Sequence, residues 1–129
     1  MPELPEVEVL RRSLEPHLVG DLIERVEVRN PALREPVETA RLRRSLQGRR
    51  VTALRRRSKY LLIDLEGGRT LAVHLGMSGR LTLAPAAAPR ELHEHVAFHL
   101  GSGRRLRLRD PRRFGLIFAL PTAELAADP

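Results

Sequence analysis

The chain has 129 residues, of which 42% are hydrophobic and 30% charged, and it carries a formal net charge of +7. That length suits one domain with a core of its own; no stretch approaches the roughly 18 apolar residues of a membrane span, and the acidic N-terminus opens no apolar run of the signal-peptide kind. There is no cysteine, which excludes disulfides, thiolate catalysis and cysteine-ligated zinc within these residues and fits a reducing cytoplasm.

In chain order, residues 5–15 read as a helix. Val7, Leu10 and Leu14 recur at helical spacing, Glu6 and Glu8 sit in the first turn, and Arg11 and Arg12 lie toward the end, as the helix dipole favours. Pro5 is tolerated in a first turn, and Pro16 is expected to stop the helix. A second short helix is expected over 37–46, ended by Gly48. Most of the remainder alternates with period two, giving candidate strands at 22–28, 50–56, 60–65, 70–75, 79–84, 95–100, 104–109 and 115–120. Gly67-Gly68 and Gly101-Ser102-Gly103 read as hairpin turns, and 84–89 as a flexible loop. The expected fold is mostly β with flanking helices: a β-sandwich of about eight strands plus two α-helices. Residues 1–121 form the domain, and 122–129 read as the start of a linker.

The positive charge favours a polyanion, nucleic acid first, over a basic surface that merely keeps the protein dispersed. Aromatics make up only 3%, which argues against base-stacking platforms. Of the 23 basic side chains, Lys59 is the single lysine, in a chain that otherwise uses Arg. Arg stays protonated whereas an amine can lose its proton, so Lys59 is the first position to consider for chemistry.

Pro2 is a second candidate. Removal of Met1 would expose a secondary amine, and an α-amino group, with a pKa of roughly 7.7–8, is more often unprotonated at neutral pH than a lysine. Such an amine can attack a sugar C1′ and form a Schiff base, with the adjacent Glu3 as general acid or base. The plainer reading is that both residues only start the helix. Arg55-Arg56-Arg57-Ser58-Lys59-Tyr60 is either a phosphate-holding cluster or a solvated strand end. In His74-Leu75-Gly76-Met77-Ser78-Gly79 the glycine turn pushes Met77 outward, which suits a wedge into a base stack unless Met77 packs inward. His74 reads as a phosphate contact or a satisfied core histidine. His93, His95 and His99 lack the partner pattern of a metal site, and none is assigned. In Asp110-Pro111-Arg112-Arg113-Phe114-Gly115, Asp-Pro makes a turn carrying two cations and an aromatic ring, a basic loop able to enter a groove or simply a turn with a core Phe. Arg34 reads only as a loop residue.

Together these segments closely resemble the formamidopyrimidine-DNA glycosylase family. The resemblance covers nearly all of the chain and rests on the opening Pro-Glu-Leu-Pro-Glu-Val-Glu. It rests also on the order of Arg-Ser-Lys-Tyr-Leu-Leu, His-Leu-Gly-Met-Ser-Gly, His-Glu-His-Val and Asp-Pro-Arg-Arg-Phe-Gly. The endonuclease VIII branch typically opens Pro-Glu-Gly-Pro-Glu, so Leu4 points to the purine branch. The resemblance implies a bifunctional DNA glycosylase/AP lyase of base-excision repair. It would remove oxidised purines (8-oxoguanine, formamidopyrimidines) by Schiff-base chemistry, followed by β,δ-elimination. It implies Pro2 as nucleophile, Glu3 as proton donor, Lys59 as phosphate contact and acid/base in elimination, and Glu6 as a supporting carboxylate. Met77, Arg112 and Phe114 would fill the void left by a flipped base; His74, His93 and Arg113 would contact DNA.

The implied partner is damaged double-stranded DNA, bound by a monomer in the bacterial cytoplasm. The family's helix-two-turn-helix and four-cysteine zinc finger are not in this sequence, so no cofactor is expected in the chain and zinc only in that second domain. The chain alone is therefore expected to be weakly active or inactive. The alternatives are an endonuclease VIII-like enzyme for oxidised pyrimidines and a non-catalytic DNA-binding domain of the same fold.

Overall fold

The computed structural model describes the backbone of residues 4–126 and the side chains of 6–125. Pro2 and Glu3 lie outside the described residues. The elements run α1 (Leu4–Leu18), β1 (Leu22–Val28), α2 (Thr39–Leu46), β2 (Arg49–Arg57), β3 (Tyr60–Leu65), β4 (Arg69–His74), β5 (Arg80–Pro85), β6 (Glu94–Leu100), β7 (Arg104–Arg109), β8 (Leu116–Pro121) and α3 (Thr122–Ala126). Among the described residues eight strands follow the order β5-β7-β6-β1-β2-β3-β4-β8, each antiparallel to its neighbours.

One junction is narrow. β1 and β2 pair only through Leu22 with Arg50 and Ile23 with Arg49, next to an irregularity between Ile23 and Arg25. The sheet is thereby divided into two four-stranded halves whose apolar faces share one core, as expected of the sandwich. Phe98, Leu106 and Leu108 enter this core from one half, Leu61, Ile63 and Leu71 from the other. Burying such a side chain contributes on the order of 1.5–3 kcal/mol. No helix among the described residues is long and apolar enough to cross a membrane.

The helices differ from expectation at their ends. α1 does not stop before Pro16 but continues to Leu18, with Val19 N–H donating to Glu15 O at 3.1 Å. Pro16 lies in the last turn, where a lost backbone bond is offset by full burial of Leu18. α2 starts two residues later than expected, because Val37 is held outside it by a hydrogen bond from its N–H to Pro31 O. α3 occupies part of the segment read as linker.

The loop expected to be flexible is instead tied down. Ala84 and Pro85 complete β5, and the chain then returns along β7 toward the start of β6. Alternate arginines of β7 hold it: Arg105 donates to Ala88 O, Arg107 to Pro89 O at 3.0 Å, and Arg109 to Leu92 O at 3.0 Å. Beneath this strap the fully buried Glu94 meets Arg29 at 2.6 Å and Arg107 at 3.5 Å. Part of the positive charge is therefore internal structure.

Truncating one member of a buried ion network leaves its partners uncompensated, at a cost of about 3–5 kcal/mol. Glu94→Ala is expected to lower stability on that scale, whereas Glu24→Ala, at an exposed position of β1 outside the network, should cost far less. Urea unfolding of both variants checks this; equal midpoints would refute it.

Candidate nucleic-acid interface

The register gathers the candidate residues at one end of the sandwich. Tyr60 of β3 pairs with His74 of β4, and His74 pairs with Leu116 of β8. In the other half, Arg80 and Glu94 both pair with Arg109. The turn 58–59, the loop 75–79, residues 91–93 and the loop 110–115 therefore emerge at the same end. α1 begins there too, since Glu8 meets Arg56 at 3.5 Å and Glu6 precedes it in the first turn. Lys59 occupies a two-residue turn, because Arg57 pairs with Tyr60 and Ser58 adopts φ 53°.

Two loops meet backbone to backbone. Gly76 has φ 59°, and a Cβ on it would lie 2.8 Å from the Phe114 carbonyl carbon. A Cβ on Gly115 would lie 2.7 Å from His74 O. Real Cβ atoms do not approach so closely, so only glycine permits this contact at either position. The loops are joined through Asp110, which is fully buried. Ser78 Oγ–H donates to Asp110 Oδ1 at 2.7 Å, Arg113 N–H to Oδ1 at 3.1 Å, and Gly115 N–H to Oδ2 at 2.8 Å. Ser78 Oγ also accepts the Arg112 N–H at 3.1 Å.

The residues carried by these loops face water. Met77 is 53% exposed and Phe114 46%, so neither packs into the core. Arg112 is exposed; Arg113 is exposed with φ 61°, and His93 is exposed with φ 63°. Because His93 precedes β6 in a left-handed conformation, it does not share a strand face with His95. His95 is buried, its ring nitrogens 2.9 Å from Asn30 O and 2.9 Å from Asp110 O. His99 lies 2.9 Å from Glu27, whose carboxyl is held down at about 2, first by His99 and then by Arg29. Among the described residues no group of three metal-ligating side chains converges.

His74 is the inward member of the set. It is 9% exposed, its Nδ1 accepts the Gly76 N–H at 3.0 Å, and its ring stands edge-on to Tyr60 at 5.1 Å. A neutral ring whose Nδ1 accepts carries its proton on Nε2. Burial lowers its pKa, and the charges of Arg34 and Lys59 lower it further. Arg34 is thus more than the loop residue read from sequence; its N–H also donates to Gly115 O at 3.3 Å.

Sequence reasoning missed Asp110 as a buried carboxylate, Ser78 as its partner, and Arg34. A groove of about 600 Å³ between α2 and β8 contains none of the candidate residues. The candidate site is thus a set of protruding loops, a shape that suits insertion into a groove rather than enclosure of a small molecule.

The family model described as the formamidopyrimidine-DNA glycosylase N-terminal domain matches residues 1–117. The chain belongs to this family. Formamidopyrimidine-DNA glycosylase of Ruegeria pomeroyi is 49% identical, over 95% of this chain and 46% of the relative. That of Stutzerimonas stutzeri is 58% identical, over 89% of this chain and 42% of the relative. The chain thus spans about half the length of the curated formamidopyrimidine-DNA glycosylases it matches.

Among solved structures, Lactococcus lactis Fpg (MutM) bound to DNA containing an oxidised pyrimidine superposes with a TM-score of 0.89 and 34% identity, over 98% of this chain and 47% of that one. The same protein bound to FAPY-dG containing DNA gives a TM-score of 0.89 and 33% identity, over 97% and 46%. The fold is that of the formamidopyrimidine-DNA glycosylase N-terminal domain.

A histidine whose folded pKa is depressed leaves the native state neutral while the unfolded state takes up a proton. Its contribution to stability is therefore present above the ordinary value of 6.5 and is lost as pH falls through the folded value. His74 is expected to titrate below 6.5, and Arg34→Ala is expected to raise its midpoint toward 6.5. NMR titration of the ring measures both; a midpoint at or above 6.5 in the unsubstituted chain would contradict the assignment.

Proposed function

We propose that this chain is the catalytic, strand-distorting part of a base-excision repair enzyme, a DNA glycosylase/AP lyase acting on oxidised purines in duplex DNA. One observation carries the reading. Two exposed apolar side chains, Met77 and Phe114, stand on mutually locked loops at the end of the sandwich that also bears Lys59, His93, Arg112 and Arg113. Apolar wedges enter base steps, and cations beside them hold phosphates.

The chemistry needs a base removed from the stack, because a protein amine cannot reach C1′ inside a duplex. With Met1 removed, the neutral Pro2 nitrogen attacks C1′, the bond from C1′ to the damaged base breaks, and the proton shed by the Pro2 nitrogen neutralises the departing base. Glu3 protonates the sugar ring oxygen, the ring opens, and a cationic iminium joins Pro2 to C1′ without further proton loss. The iminium makes the C2′ proton acidic. Its removal expels the 3′-phosphate, and a second elimination expels the 5′-phosphate. Lys59 binds the phosphate near the lesion and serves proton transfer in elimination, with Glu6 supporting the site. His93 and Arg113 hold flanking phosphates, and His74 orients the Gly76 turn from behind.

This chain has no cysteine to contribute to the family's zinc finger, and every step above uses the chain's own residues. The enzyme is read as a monomer acting in the bacterial cytoplasm. The Lactococcus relative has been solved with an oxidised pyrimidine as well as with FAPY-dG. That pair keeps an oxidised-pyrimidine range as the second reading, distinguished by comparing release of 8-oxoguanine and thymine glycol.

An amide nitrogen has no free lone pair for attack. Borohydride trapping on an abasic oligonucleotide is therefore expected only for chains with a free Pro2, as verified by mass spectrometry; equal trapping by N-terminally tagged chains would remove Pro2 as nucleophile. In the whole protein, Lys59→Ala is expected to slow single-turnover strand cleavage by about 100-fold, the scale of general acid–base catalysis. Arg90→Ala, on the exposed strap, should leave it within about twofold, the scale of an ordinary surface change. Comparable rates for the two variants would exclude Lys59 from the site.

A further inference from the structure

We infer that Ser78 and Asp110 form a latch that makes the Met77 loop and the Phe114 loop a single wedge, and that Ser78 is its positioning residue. The inference rests on the proposed strand-distorting role. Met77 and Phe114 lie on segments 37 residues apart in sequence, and a wedge of two side chains works only if their separation is held. The close backbone packing at Gly76 and Gly115 brings the loops together but supplies no directional bond. The polar connection between them runs through one hydroxyl and one carboxylate. Ser78, immediately after Met77, donates to Asp110 Oδ1 at 2.7 Å and accepts from Arg112 N–H at 3.1 Å. The same carboxylate receives the N–H groups of Arg113 and Gly115, which bracket Phe114.

Ser78 thus uses both capacities of a hydroxyl, donor toward one loop anchor and acceptor toward the backbone of the other loop. An alanine removes both bonds and leaves a buried carboxylate oxygen short of a donor, whereas a threonine retains the hydroxyl. Asp110 is unsuitable as the primary test. Its fully buried carboxylate also receives the backbone N–H groups of Arg113 and Gly115, so its replacement can unfold the whole 110–115 loop. Ser78 is half-buried and in a turn, which makes Ser78→Ala the milder change.

The latch matters only where a base stack must be opened. Expected results follow for borohydride trapping of the whole protein on the same abasic oligonucleotide, once as a duplex and once as a single strand. Ser78→Ala should lower duplex trapping about tenfold, the scale of one charge-assisted hydrogen bond. It should leave single-strand trapping within about twofold, since no stack is opened there. Ser78→Thr should restore duplex trapping, and Thr82→Ala, exposed on β5, should match the unsubstituted protein on both substrates. In parallel, 2-aminopurine beside the abasic site should brighten less with Ser78→Ala than with the unsubstituted protein.

Unchanged duplex trapping by Ser78→Ala would overturn the latch. So would equal losses on duplex and single strand, which would mark a general folding defect, or a failure of Ser78→Thr to restore trapping. If the unsubstituted protein trapped neither substrate, the proposed function itself would fall, an outcome separate from all of these.

Discussion

A carboxylate sealed from water must be satisfied by the protein around it, and the Asp110 carboxylate takes its donors from two loops that are distant in sequence. Desolvating a carboxylate without compensation costs several kcal/mol. Its three donors, Ser78 Oγ and the N–H groups of Arg113 and Gly115, are therefore a condition for this end of the sandwich to exist. Satisfying them places the loops in contact. Contact in turn demands glycine at 76 and 115, because any Cβ would strike backbone. The exposure of Met77 and Phe114 follows: with the loop backbones spent on one another, their side chains have only solvent to face.

The arginines divide along the same lines. Arg29, Arg105 and Arg107 are almost wholly buried, two of them against Glu94 and two against carbonyls of the returning strap. They help hold residues 86–92 along β7 and so fix where His93 emerges. The cations displayed at the candidate end include exposed Arg112 and Arg113, with Lys59 half-buried beside them. A net charge is thus a poor measure of a nucleic-acid footprint. The useful quantity is the charge remaining after internal pairing, and where it lies.

Much of the fold was legible because its causes are local. Period-two alternation and paired glycines mark eight strands and the hairpins at Gly67-Gly68 and Gly101-Ser102-Gly103, and no observed strand end departs from the expected one by more than one residue. Pro16 misled because its local cost was outweighed by tertiary burial of Leu18, which no local pattern shows. The strap was hidden because an Arg-x-Arg-x-Arg strand reads as solvated until a loop is known to cross it. In the site, Met77 and Phe114 announced themselves through adjoining glycines. Asp110 did not: its partner Ser78 lies 32 residues away, and an Asp-Pro pair reads as a turn whatever its carboxylate does. Arg34 acts on His74 through space and has no sequence signal at all.

The backbone adds a last constraint on how this end can work. Among the described residues, the non-glycine residues in the left-handed region are Ser58, His93 and Arg113, and all belong to loops at the candidate end. Such a conformation costs on the order of 1–3 kcal/mol where the surroundings impose it. A glycine at any of them would remove that cost, yet it would also remove a side chain or loosen its neighbour. Ser58 sets the direction of Lys59, while His93 and Arg113 present their own cations or donors. Strain concentrated where charge is displayed fits a surface built before its ligand arrives. Opening a base stack costs a few kcal/mol per step. A surface that had also to order its loops at that moment would face both costs together, whereas loops already locked through Asp110 and set by strained turns leave only the first.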